Sequence, residues 1–422
     1  MPFHGDESTQ IYMSRDYAYQ FLQGNLDLVR YHDPPISATE QQLRLLNGTL
    51  NKYLIGFAWH LAGFNVSQIN DQWDWGGDWN YNQSYGHAPS DALLQVSRIP
   101  SALLLAVGVI VMFALGKALG RRPVAYLAAL YYALNPALLI NGRRANMEGS
   151  LTLFSLLVVL AAIWLLQKRR WWTVVALGIA AGLALASKHT ALFTLIAVFG
   201  ACAAWPLVEW IAQRRNSVGV RHAAPLQVYV LLVVAGVIAL GIFYALNPAW
   251  WGDPVTRARQ VFDLRADLLA GQTATFGGYA NLSEALAGFF RQVFVNLPQY
   301  YEVPAWGNYI GDPIARYEST LWHGISIGGT VVGGVALAAL LLVGFGALVV
   351  GRKRSDKQAI QWLIGVWALA MLASTALLTP VEWQRYYLPA YPAVGLLAAY
   401  GLVWLIALVR QGRARFVRSR TG

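Results

Sequence analysis

The chain has 422 residues, 56% of them hydrophobic and only 13% charged, which excludes an ordinary soluble domain and points to a polytopic membrane protein. A net charge of +11 invites a nucleic-acid partner. The Lys and Arg residues, however, cluster in short segments between apolar runs, and retention of basic loops in the cytoplasm explains them with no nucleic acid.

Residues 1–97 form a first polar, aromatic-rich segment broken by Gly and Pro, expected as an extracytoplasmic loop. Membrane spans are expected near 98–119, 123–141, 149–166, 173–187, 190–212 and 228–246, on the basis that a bilayer core takes about 20 apolar residues per helix. The 173–187 run is short for a span. The single cysteine, Cys202, falls inside one of these runs, so no disulfide can form within the chain. A second long polar segment, 247–325, is again too long for a mere connector. Two amphipathic helices are expected in it, at 255–269 (stripe Val261, Leu264, Leu268, Leu269) and 283–296 (stripe Leu286, Phe289, Phe290, Val293, Phe294). Such helices either lie on the membrane surface or pack on the bundle. Residues 326–422 hold three further spans, near 326–350, 358–378 and 388–409, and a basic cytoplasmic tail. The expected fold is therefore an all-α bundle of about nine transmembrane helices.

Threading these spans puts the clusters Lys117/Arg121/Arg122, Lys168-Arg169-Arg170, Arg214/Arg215/Arg221, Arg352/Lys353/Arg354/Lys357 and Arg410 through Arg420 on one side. Nineteen of the 21 acidic residues fall on the other, all but Glu209 and Asp356. The acid-rich face is expected to be extracytoplasmic. The first residue then falls outside as well, with no apolar run before Asp6. The expectation is that a first span is missing from this sequence. The alternative is that 50–64 crosses the membrane, which would carry Asp6 and Glu7 to the cytoplasm.

Charged groups at the acid-rich span ends are the candidates for chemistry. Asp6 and Glu7, in His4-Gly5-Asp6-Glu7, are a candidate base pair or simply solvated acids. Gly142-Arg143-Arg144-Ala145-Asn146-Met147-Glu148 forms a tight turn between spans. Arg residues on this face run against the positive-inside tendency, and their planar donors suit a phosphate; an internal Arg143–Glu148 ion pair is the structural alternative. Lys188 at a span junction and Arg385, in Glu382-Trp383-Gln384-Arg385-Tyr386-Tyr387, are either further anion ligands or interfacial anchors. Seventeen Trp and twenty-one Tyr suit interfacial belts and sugar contacts.

These residues resemble the membrane-embedded glycosyltransferases of the GT-C class, in particular bacterial relatives of protein O-mannosyltransferases (glycosyltransferase family 39). His4-Gly5-Asp6-Glu7 resembles the acidic pair opening that family's first loop. Leu50-Asn51-Lys52-Tyr53-Leu54-Ile55 resembles its PPL-x-K-x-L-I stretch, with Asn47-Gly48-Thr49 in place of the usual His-Pro-Pro. Arg143 and Glu148 keep the Arg-to-acid spacing of its second loop, with Glu where Asp is usual. Arg385-Tyr386-Tyr387-Leu388-Pro389 with Tyr391-Pro392 resembles its late R-Y-x-L-P-x-Y-P turn. The resemblance implies a GT-C-like bundle, and inverting transfer of a mannose-like sugar from a polyprenyl-phosphate donor to an acceptor hydroxyl on protein, lipid or glycan, at the plasma membrane. It implies Asp6 as base with Glu7 beside it, Arg143, Arg144, Lys188 and Arg385 as donor-phosphate ligands, and Glu148 and Tyr386 in support. No cofactor is expected: some relatives use a divalent ion, but no cluster of His and acids here has metal-ligand spacing. A transporter or flippase of lipid-linked sugars, and a glycan ligase or polymerase, are the competing readings. Charge gathered at one rim, with span interiors almost charge-free, favours surface chemistry over transport.

Overall fold

The computed structural model describes residues 1–215, 225–352 and 357–421; Arg221, Lys353, Arg354 and Asp356 lie outside the described residues. Among the described residues the regular structure is all helical. Seven helices are long and apolar enough to cross a membrane: Asp91–Leu119, Glu148–Lys168, Ala191–Ile211, Leu226–Leu246, Val331–Val350, Gln358–Leu378 and Ala390–Gln411. The other two expected spans depart from a simple rod. Arg122–Leu134 and Pro136–Arg143 together satisfy the same test but meet at a 58° bend. Pro136 removes a backbone donor there, and the Asn135 side chain caps the second piece by accepting from Leu138 N at 3.1 Å. Trp171–Ser187 is apolar but short, at 17 residues, and so falls below the usual spanning length.

Small residues let the helices close. A Cβ on Gly178 or Gly182 would meet Ile238, Ile242 and the carbonyls of Ala235 and Ala239 at 2.7–2.9 Å, so Trp171–Ser187 lies backbone-close to Pro225–Leu246. The principal core runs through the bundle, from Leu105 and Met112 through Leu156 and Val159 to Trp367, Tyr391 and Leu397. At one end two basic connections meet, where Lys357 Nζ donates to Gly120 O at 2.9 Å. The acids gather at the other.

There the helix Asp91–Leu119 begins two turns earlier than its apolar run, capped by Ser90. Thr49–Leu61 packs beside this extension. Ser101 Oγ donates to Asn51 Oδ1 at 3.3 Å, and Ile55 and Trp59 share a core with Leu93, Leu94, Ile11 and Ala18. Its Lys52 is buried on Asp16, which also takes Arg44 at 2.8 Å. The 50–64 segment is thus part of the loop structure that carries Asp6. Its start is fixed by Gly48, where a Cβ would run into the carbonyl of Ser187, and by the Thr49–Asn247 hydrogen bond.

In the second loop the first expected helix extends over Pro254–Phe276, burying Val261 with Leu45, Trp250 and Leu264. The second begins as Leu282–Phe290 and widens into a π-turn at Arg291–Val295. Val293 and Phe294 join the main core, with Phe289 and Phe290 against it, so this helix packs on the bundle.

Candidate functional site

His4-Gly5-Asp6-Glu7 folds as a capping box at the start of the helix Gly5–Met13. His4 Nδ1 accepts from Asp6 N at 3.1 Å, and Glu7 Oε2 accepts from His4 N at 3.1 Å. Acids in the first turn are also favoured by the helix dipole. Neighbouring helical positions project about 100° apart, and the two carboxylates part accordingly.

Glu7 points inward and is 0% exposed. Its oxygens accept from Arg98 at 2.6 and 2.7 Å and from Ala145 N at 2.9 Å, besides His4 N. Burial pushes its carboxyl up, but Arg98 and Arg144 outweigh burial and hold it below the ordinary carboxylate range. A carboxylate so filled has no lone pair left for a substrate. In this arrangement Glu7 ties the first loop to Arg98 and to the Arg143-Arg144 turn.

Asp6 points the other way, and its side chain stays 25% exposed. Its carboxylate pairs with Arg385, whose Nε is 3.8 Å from Glu302 Oε1. Glu302 is fixed by His4, whose Nε2 donates to Glu302 Oε2 at 2.5 Å. Because Nδ1 of His4 is occupied as an acceptor, the ring is the neutral Nε2–H tautomer. Burial, which lowers the His4 pKa, agrees. Glu302 is held low by His4 and Arg144 against the effect of burial. The second loop reaches this point because Gln299 and Gln384 exchange hydrogen bonds, Gln384 N to Gln299 Oε1 at 2.6 Å and Gln299 N to Gln384 Oε1 at 3.2 Å. Arg385 lies over the rings of Trp383 and Tyr386 at 4.8 and 5.6 Å, and Tyr386 Oη is anchored on Gln272 at 2.9 Å.

The remaining cations do not converge on the same spot. Arg143 runs back along its own helix, donating to Leu139 O at 2.6 Å, to Trp322 O at 2.7 Å and to the Tyr317 hydroxyl. It does not pair with Glu148. That acid takes Lys188 instead, at 2.8 Å, and its Oε2 is buried without a partner. Arg144 is buried, donating to Tyr300 O at 2.6 Å, with Nε unpartnered, and feels the charges of Glu7, Glu302 and Glu148. Of the four expected phosphate ligands, Arg385 and Lys188 are each largely buried and paired with an acid, Arg144 is buried against Tyr300 O, and Arg143 is turned to the second loop. Among the described residues no three His, Cys, Asp or Glu side chains form a group able to hold a metal.

His4, Arg98 and Glu302 were not legible as site residues. His4 had one signal, its place one residue before the Gly-Asp-Glu stretch; Glu302 had none beyond lying in a long aromatic loop.

Residues 41–246 match the family model described as dolichyl-phosphate-mannose-protein mannosyltransferase. Among solved structures, ArnT from Cupriavidus metallidurans bound to undecaprenyl phosphate aligns with a TM-score of 0.49 at 14% identity, over 95% of this chain and 56% of that one. The archaeal oligosaccharyltransferase AglB from Archaeoglobus fulgidus, in complex with an inhibitory peptide and a dolichol-phosphate, aligns at 0.48 and 13%, over 87% and 43%. The chain thus spans about half the length of these structures. No curated protein matches. The matched segment includes Arg143, Arg144, Glu148 and Lys188, and the fold brings Asp6, Glu302 and Arg385 to it. Over residues 41–246, just under half its length, the chain is thus similar to the dolichyl-phosphate-mannose-protein mannosyltransferase family.

Proposed function

We propose that the chain transfers a mannose-like sugar, with inversion, from a polyprenyl-phosphate donor to an acceptor hydroxyl on the extracytoplasmic face of the plasma membrane. The observation that carries this reading is the contact of a half-open aspartate, Asp6, with a hairpin arginine, Arg385, at the acid-bearing end of an apolar bundle. The description of the matched family, which names dolichyl-phosphate-mannose, supports a lipid-phosphate donor. The charge asymmetry between the two ends supports the face.

A donor held in the bilayer by its lipid presents its sugar phosphate at the span ends. The acceptor oxygen attacks the anomeric carbon while Asp6 takes the hydroxyl proton. The bond from that carbon to the phosphate oxygen breaks, and polyprenyl phosphate leaves with the electron pair. Arg385 stabilises the charge growing on the phosphate, a preorganised electrostatic effect of the kind that usually dominates catalysis. In the resting chain Arg385 is spent on Asp6. Turning it to the phosphate frees the carboxylate as a base, so donor binding arms the site. Lys188 is the second phosphate ligand, Glu148 holds it, and Tyr386 braces Arg385. Glu7 and Arg144 position the whole.

The test is transfer by the purified chain in detergent, with polyprenyl-phosphate mannose and extracted membrane and secreted acceptors. Labelled product from the native chain and none from Asp6→Asn is the expected result. Equal product from both would remove Asp6 as base. No product with any polyprenyl-phosphate sugar would end the proposal.

A further inference from the structure

The two polar loops meet in a cluster of aromatic rings directly beside the acidic pair. Phe3, Trp73, Trp75 and Trp79 come from the first loop, Trp306 and Tyr309 from the second. Trp73 sits 5.5 Å from both Phe3 and Trp79 and 6.0 Å from Trp306, between ring centres. Two pairs lie face to face: Trp75 on Trp306 at 5.7 Å and 24°, and Trp79 on Tyr309 at 5.4 Å and 11°. Trp73 and Trp306 are buried and make the floor, while Trp75 stays 50% exposed and Tyr309 40%. The cluster reaches the two residues that precede Asp6. His4 stands edge-on to Trp306 at 5.3 Å, and a Cβ on Gly5 would lie 3.1 Å from both Trp306 and Trp73.

Large rings left in water at the mouth of a site mark a surface that something else covers. The charge around them narrows what that is. Between Lys52 and Arg98 the chain has no Lys or Arg, but it has Asp74, Asp78 and Asp91, besides Asp71, which pairs with Arg15 at 3.1 Å. An anionic headgroup or an acidic polymer meets like charge here. Asp74 and Asp78 each use Oδ1 on a backbone donor, Gly76 N at 2.8 Å and Tyr81 N at 2.7 Å; among the described residues Oδ2 of neither takes a bond. Exposed amides, Asn80 and Gln83, lie on the same segment. Flat electron-rich faces ringed by carboxylate and amide acceptors match a neutral pyranose: its C–H face covers the ring, and its hydroxyls donate to the rim.

We infer that the Trp75/Trp306 and Trp79/Tyr309 platform seats a sugar ring of the acceptor, so that the acceptor is a neutral glycan. That it serves as acceptor rests on the transfer proposed at Asp6; that the platform binds sugar does not.

The experiment uses the full chain in nanodiscs, titrated with neutral mannose, glucose and galactose oligosaccharides and with an unglycosylated Ser/Thr-rich peptide, read by tryptophan fluorescence and calorimetry. Saturable binding of at least one oligosaccharide is expected. Trp75→Ala should weaken it by about tenfold, as loss of a stacked ring does, whereas Trp75→Tyr should keep it. If no oligosaccharide binds, or if Trp75→Ala binds as well as the native chain, the platform is refuted. Trp75-dependent binding of the peptide instead would also overturn it, in favour of a protein acceptor. Trp75-dependent sugar binding in a chain that transfers nothing from any lipid donor would leave the platform standing and remove the function.

Discussion

The carboxylate of Asp6 lies against the guanidinium of Arg385, which joins the first helix of the chain to the turn before its last. Arg385 is largely buried, whereas Asp6 keeps a quarter of its side chain exposed. In the proposed reaction each has a separate use once the other lets go. Asp6→Asn is expected to lower single-turnover transfer by about 10²–10⁴-fold, the usual weight of a positioned base, at unchanged protein level. Arg385→Ala is expected to weaken donor binding instead, read as a raised KM for the lipid-linked sugar.

Glu7 is the opposite case. Removing the carboxylate strands the largely buried Arg98 and releases Ala145 N. Breaking a buried ion pair costs about 3–5 kcal/mol. Glu7→Gln should therefore lower the denaturation temperature in detergent, with Asp6→Asn leaving it near the native value. Equal thermal stability of the two variants would contradict the assignment of Glu7 as an anchor.

Arg143 gives a prediction that separates holding a loop from holding a phosphate. Its donors go to Leu139 O, Trp322 O and Tyr317. Arg143→Ala should loosen the 317–322 corner, seen as faster hydrogen exchange there, while donor KM moves less than in Arg385→Ala. A larger KM effect at Arg143 would restore it as a phosphate ligand.

Acid should destabilise the site. Burial lowers His4 from its ordinary 6.5, so the unfolded chain binds a proton there that the folded chain does not. Stability from this group is complete above about 6.5 and is lost as pH falls below it. Glu302, also held low, acts in the same direction nearer 4.5. Thermal denaturation followed from about pH 7.5 to about pH 5 should show a falling midpoint in the native chain. His4→Gln should flatten the upper part of that fall; an unchanged slope would show that His4 does not titrate with folding.

Most of the bundle was legible because a span needs only an unbroken apolar run. Where the chain bends, at Asn135-Pro136, hydropathy sees one run and the missing proline donor makes two helices. The site was legible by type rather than by partner. Asp6 and Arg385 stood out as charges at the acid-rich rim, and they meet. An Arg143–Glu148 ion pair stood as the structural alternative at that turn, but Arg143 folds back on Leu139 and leaves the acid to Lys188. Glu302 was invisible, because its value comes from His4 at the far end of the chain and from a glutamine pair that no periodicity announces.

Gly48 gives the two halves of the site unequal freedom. With no room for even a methyl group against the backbone at Ser187, the amino-terminal loop and the lysine corner are in direct backbone contact. The stretch around 299–323 is held instead by side chains, Gln299 with Gln384, Arg144 on Tyr300 O and Arg143 on Tyr317, which can exchange partners.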